Sequence, residues 1–152
     1  MAGVPFIAGL SGSLNDTGNS NNVLRIWCAS NHRAVVREIK VTLPTTYGTG
    51  GAKVVTLNRN GTGGTFSADN TFTSKLGDHG ETLQTVITRQ KGDSESDAGT
   101  EIFRSYVAAE SPLHLIADHY SKEIHIPGGE KLSVIVEDTS SVPLSILAYI
   151  EE

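Results

Sequence analysis

Apolar residues in this chain recur at every second position in short runs, and each run stops at Gly, Pro or Asn. In Val23–Ala29 the alternating positions are Leu24, Ile26 and Cys28. In Val35–Leu43, Val35, Ile39, Val41 and Leu43 share one face while Glu38, Lys40 and Thr42 point away. Val55 and Leu57 alternate with Thr56 and Asn58, and Leu132, Val134 and Val136 with Ser133 and Glu137. Leu144, Ile146, Ala148 and Ile150 alternate with Ser145, Leu147 and Tyr149. Side chains on a strand alternate between two faces, so this period marks half-buried β-strands. Weaker runs of the same kind are Leu83–Thr88, Ile102–Val107, Leu113–Ala117 and Glu123–Ile126. No segment carries a helical period of useful length.

Turn residues separate the runs: Pro44-Thr-Thr-Tyr-Gly-Thr-Gly-Gly, Asn60-Gly-Thr-Gly-Gly, Leu76-Gly-Asp-His-Gly, Lys91-Gly-Asp and Pro127-Gly-Gly. Asn60 and Gly61 both tolerate positive φ, which predicts a hairpin turn after Lys53–Arg59. The expectation is an all-β fold, an antiparallel β-sandwich of jelly-roll-like type with about eight or nine strands. No period of a repeat array is present. The 152 residues fit one domain, expected over 23–152.

Residues 1–22 differ from the rest. They are rich in Gly, Ser and Asn, a composition with little apolar surface to order itself. They read as an extended N-terminal arm with an apolar tip of Val4, Pro5, Phe6, Ile7 and Leu10. Either the segment is a mobile tail, or Val4, Phe6, Ile7 and Leu10 are contacts with a neighbouring subunit. The last strand adds Leu147 and Tyr149, because apolar residues on both faces imply that both faces are covered. The cover is either a loop of the same chain or a partner subunit.

Charge narrows the partners. The net charge is −5, which is not the footprint of a general nucleic-acid binder. Residues 1–90 hold 8 basic and 5 acidic residues, whereas residues 91–152 hold 4 and 12. Two oppositely biased ends would let the subunit stack on copies of itself or on neighbours; the alternative is a solvated acidic face. No apolar stretch is long enough for a spanning helix, so no membrane partner is expected. The opening decapeptide has no Lys or Arg and does not read as a secretory signal. The single Cys28 excludes an intrachain disulfide, and its apolar neighbours predict an inert core thiol.

Candidate chemistry is sparse. His114, His119 and His125 are close in sequence, but spacings of five and six do not put all three on one strand face. Asp93-Ser-Glu95-Ser-Asp97-Ala98-Gly99 resembles a calcium loop. It has Ala98 where that loop needs Gly and Arg104 where it needs a bidentate Glu. Gly61-Thr-Gly63-Gly64-Thr65 lacks the Lys and the strand-to-helix setting of a phosphate cradle. No nucleophile elbow is present. No catalytic residue, metal or cofactor is expected, and the chain does not read as an enzyme.

The C-terminal third is the most specific part. Glu123-Ile-His-Ile-Pro127-Gly128-Gly129-Glu130-Lys-Leu132-Ser-Val134-Ile-Val136 leads through a short turn to Leu144-Ser-Ile-Leu-Ala-Tyr-Ile150-Glu151-Glu152. This resembles the ending of a group of small tailed-phage structural proteins. Those close with an Ile-x-x-Pro-Gly-x-x-Leu-x-Val strand and a last strand ending in paired Glu. Arg33–Leu43 and Gly63-Gly-Thr-Phe-Ser-Ala are also similar to that group, so the likeness runs over residues 33–152. The group's aromatic directly before the final acids is Ile150 here, with Tyr149 one place earlier. The resemblance implies a virion component on the capsid surface. Its type would be a capsid decoration, or cement, protein with a jelly-roll-like fold, a homotrimer whose partner is the major capsid protein. The alternatives are a tail or baseplate receptor-binding module and a small jelly-roll ligand- or metal-binding protein.

Overall fold

The computed structural model describes residues 5–14, 21–43, 51–60, 66–67, 72–75, 84–90, 99–117, 119, 122–137 and 142–152. Among them are twelve strands: β1 (Pro5–Leu14), β2 (Asn21–Trp27), β3 (Ala34–Thr42), β4 (Lys53–Arg59), β5 (Phe66–Ser67), β6 (Phe72–Lys75), β7 (Val86–Gln90), β8 (Thr100–Val107), β9 (Leu113–Ile116), β10 (Ile124–Ile126), β11 (Lys131–Glu137) and β12 (Val142–Glu151). They form two sheets, and every pairing is antiparallel. Among the described residues no helix is long and apolar enough to cross a membrane.

The pairing is nested. β1 pairs with β12, β2 with β11, β3 with β9 and β10, and β4 with β8. Two further ladders, β12 on β3 and β11 on β4, join these pairs into sheets. A long antiparallel double strand folded over in this way, with its pairs alternating between two sheets, is the jelly roll. The first sheet runs β10-β3-β12-β1-β6, with β9 also on β3, and the second runs β5-β7-β2-β11-β4-β8. The three short strands β5, β6 and β7 all lie between β4 and β8 in sequence. β6 widens the first sheet beyond β1, and β7 and β5 widen the second beyond β2.

The core lies between the sheets. Leu24, Ile26, Val55, Leu57, Leu132, Val134 and Val136 of the second sheet meet Val36, Ile39, Val41, Ile126, Ile146, Ala148 and Ile150 of the first. Each such Leu or Ile contributes roughly 1.5–3 kcal/mol by leaving water. Cys28 is buried within this cluster, and burial pushes its thiol pKa up.

Three expectations change. The arm is not free: Pro5–Leu14 pair along ten positions with β12, and Phe6–Gly9 pair with β6 on the other side. A strand between two others has its backbone donors and acceptors satisfied on both sides, so its own side chains need supply less apolar surface. Asn60 adopts positive φ (56°), yet β4 forms no hairpin with the next strand. Asn60 instead donates its N–H to Lys131 O (3.1 Å), and its Oδ1 accepts from Lys131 N (3.2 Å), tying the end of β4 to the start of β11. The two charge halves are interleaved and do not form two ends, since β12 lies between β3 and β1.

The strand with both faces covered is β11, buried from Leu132 through Val136. Ser133, and Arg25 and Thr56 on the neighbouring strands, are buried with it. In β12 burial alternates: Ile146, Ala148 and Ile150 are buried, Ser145 and Leu147 are exposed and Tyr149 is half-buried. The outer face of the first sheet is thus open along β12.

Candidate functional site

The open face is built by register. Residues directly opposite in antiparallel strands share a face. Tyr149 on β12 stands opposite Glu38 on β3, which stands opposite Ile116 on β9. The next row is Leu147, Lys40 and His114. Ile116 is 56% exposed and Leu147 38%, so the two rows present apolar groups to solvent around a few charges. His114 Nε2 lies 2.6 Å from Glu38 Oε1 and links the rows.

A cleft adjoins this face. β8 is the edge of the second sheet, and β9 and β10 lie end to end along the edge strand side of β3 in the first. Between these edges the sandwich opens into a cavity of about 300 Å³. Its walls include Val36, Ile39, Leu57, Phe103, Leu115 and Ile124, and Ile102 and Ile116 also border it. Ile102 is 41% exposed, and Tyr106, further along β8, is 64% exposed.

Carboxylates organise the surroundings. Arg37 binds both Glu123 and Glu151, the latter at 2.8 Å. It thus ties β3 to the approach to β10 and to the end of β12. The Glu123 side chain is almost fully buried and also lies 3.3 Å from His125 Nε2. Glu152 accepts the backbone N–H groups of Gln84 (3.1 Å) and Thr85 (2.7 Å), with His32 Nδ1 3.3 Å away. The two final glutamates are therefore anchors for the last strand.

At the β8 edge, Arg104 donates to Glu101 (2.7 Å) and Glu137 (3.1 Å). The hydrogen bond from Arg104 holds the Glu101 carboxyl below its ordinary range, and the two acids push Arg104 up. A carboxylate with a lowered pKa adds stability above its unfolded value and loses it as pH falls through the folded one. Arg104→Ala should therefore move the Glu101 titration upward to the ordinary glutamate range, as followed by NMR of its side-chain carboxyl. An unmoved midpoint would show that another group depresses it.

Of the residues expected at an interface, Leu147 and Tyr149 stand on the open face. Ile7 lies opposite Tyr149 in the ladder, whereas Phe6 and Leu10 lie opposite the buried Ile150 and Ile146. Phe6 and Leu10 thus belong to a paired strand and are not the tip of a free arm. Val4 lies outside the described residues, as do Asp93–Ala98 and the Gly61–Thr65 segment. His114 and His125 each sit beside a glutamate on separate strands, and His119 is exposed between β9 and β10. Among the described residues, no three His, Cys, Asp or Glu side chains are grouped to hold a metal ion. Ile102, Tyr106 and Ile116 were missed. The signal was present: Tyr106 has the opposite parity to Phe103 and Val107, and Ile116 to Leu113 and Leu115.

No family model matches this chain, and no curated protein matches it. Among solved structures, a structure of infectious bursal disease virus, Gt strain, aligns at 13% identity with a TM-score of 0.13. The alignment takes in 99% of this chain, which spans 38% of the length of that chain, and at this TM-score no common fold is established.

Proposed function

We propose that this protein is a capsid decoration protein of a tailed bacteriophage. In this reading it forms a homotrimer on the outside of the head shell and holds neighbouring major capsid subunits together. The observation that carries the reading is the open face of the first sheet, where Leu147, Ile116 and Tyr149 present apolar surface that the described residues leave uncovered. Exposed apolar groups gathered on one face mark a contact surface. Support also comes from the sequence likeness over residues 33–152 and from the jelly-roll body, a rigid platform for such a face. Many copies on one shell make modest individual contacts cumulative.

The test is co-sedimentation of the purified protein with head shells of the parent phage stripped of it, together with immunogold labelling of intact virions. Retention on shells and label over heads are expected, with Leu147→Asp lowering occupancy about tenfold or more. Label confined to tail tips would replace this reading with that of a tail module, and absence of shell binding would overturn it.

A further inference from the structure

β8 closes one end of the second sheet. It is eight residues long and, among the described residues, pairs on one side only, with β4. Its register slips next to the Phe103–Leu57 pair, leaving Ile102 as a bulge and Phe103–Val107 as the regular stretch. An edge strand presents a row of backbone donors and acceptors, and another extended chain matches their spacing. Natural edges are often closed to such a chain by Lys or Pro. Thr100–Val107 contains neither, and its two charged side chains, Glu101 and Arg104, bond each other.

The apolar cleft lies directly beside this edge and reaches down to the core residues Val36, Ile39 and Leu57. Phe103 lines it from β8. Cross-strand neighbours share a face, so a strand added next to Phe103 would turn side chains into the cleft. An apolar cavity of about 150 Å³ takes one benzene ring. The cleft, at about 300 Å³, has room for two large side chains. Residues i and i+2 of one strand place two side chains on the same face. The charged groups bordering the cleft are already engaged within the subunit. Arg37 is held by Glu123 and Glu151, Glu38 lies against His114, and Lys122 also has a partner. What enters is therefore uncharged.

We infer that β8 accepts an extended segment of the shell subunit as an added strand, with apolar residues at i and i+2 filling the cleft. Backbone pairing gives such a contact its affinity and the pocket its specificity. The inference rests on the capsid reading above and adds a second contact to it. A second copy of this chain does not fit the site. Its own β8 would have to supply Phe103 and Val107, which are packed against its own core. Its other edge strands, β5, β6, β9 and β10, are two to four residues long. The β8 edge is on the side of the sandwich, whereas Leu147 and Tyr149 stand on the face of the first sheet, so one copy can make both contacts at once. Ile116 borders both.

Hydrogen exchange on shells and a peptide array test the strand separately from shell binding. On stripped shells, every second amide of Phe103–Val107 should exchange at least about tenfold more slowly than in the free protein. The array carries short overlapping peptides that cover the shell subunit, with the labelled full-length protein as the probe. Peptides with apolar residues at i and i+2 should retain it. Leu115→Trp, which fills the cleft from the β9 side, should weaken retention about tenfold or more. Ile124→Trp fills it from β10 and serves if the first variant melts unlike the wild type. Shell binding with the β8 amides unprotected overturns the inference and leaves the capsid reading standing. A peptide signal that neither filled cleft weakens does the same. Protection of these amides in the free protein that grows with its concentration would give the edge to a second copy and overturn the inference. Peptide capture without shell binding would overturn the capsid reading alone, and failure of both would overturn both.

Discussion

A chain lacking residues 1–14 should fail to fold cooperatively. The deletion removes β1, and with it the partner along ten positions of β12 and, among the described residues, the strand that connects β6 to the first sheet. Each buried backbone group that loses its partner costs about 1–3 kcal/mol, and domains of this size are stable by only about 5–15 kcal/mol. The loss also bares the flank of the β12 strand that carries Ile146, Ala148 and Ile150 of the core. Circular dichroism should show no cooperative melting transition. Ala8→Pro is a milder version of the same test. Ala8 is paired with Ala148 on one side and Thr73 on the other, so a residue without an N–H cannot fit the ladders. A cost of about 3 kcal/mol or more is expected. A truncated chain that melts like the full one would return residues 1–14 to the status of a loose arm.

That contrast shows where the sequence was readable. Leu24 and Ile26, Ile39 and Val41, and Leu132 and Val134 mark their strands because each apolar position faces the core and the polar residues between them do not. β1 carries the same period in Phe6, Ala8 and Leu10, but Gly9, Ser11 and Gly12 dilute it. Its place between β12 and β6 is set by ladders to residues far along the chain. β5 and β6 are two and four residues long, below the length at which a period can be recognised. The nested pairing that makes the jelly roll is a property of long-range register and leaves no local mark.

The site was legible in part for a related reason. Leu147 and Tyr149 stood out because they are apolar at positions where a solvent-facing strand should be polar. Tyr106 and Ile116 carry the same mark, on runs whose alternation was weaker. Ile102 was harder to read. It has the parity of Tyr106, but the register of β8 on β4 shifts beside it, between Leu57 and Asn58, and the alternation ends there, with Thr100 and Glu101 both exposed as well. The cleft itself arises only when the edges of two sheets, β8 from one and β9 and β10 from the other, are brought side by side.

Substituting Gly128 should cost more than substituting Gly129, although both belong to one tight turn. Glu130 donates its N–H to Pro127 O (3.0 Å), and Gly129 adopts φ of +79°, the arrangement of a type II turn with glycine at its third position. At Gly129 a Cβ would meet nothing within 4 Å, so an alanine there pays only for its left-handed backbone, about 1–2 kcal/mol. Gly128 has no such φ. There a Cβ would collide with the carbonyl oxygen of Ser30 and come within 2.8 Å of that of His32. Neither oxygen is the end of a flexible side chain. Both belong to the turn at residues 29–32, which is closed by the His32 N–H on Ala29 O. That turn is also held to the Pro127–Glu130 turn by Gly129 N–H on Cys28 O and Cys28 N–H on Glu130 O, each 3.1 Å. Relieving the clash means separating two turns and stretching the hydrogen bonds that join β2 to the start of β11. We expect Gly128→Ala to cost about 3 kcal/mol, the upper end for overpacking, and to lower Tm by about 6–12 °C. Gly129→Ala should lower it by about one third to two thirds as much. Thermal melts of the two variants decide the point, and a Gly129 variant less stable than the Gly128 variant would mean that backbone strain, and not the close approach of the two turns, governs this corner of the sandwich.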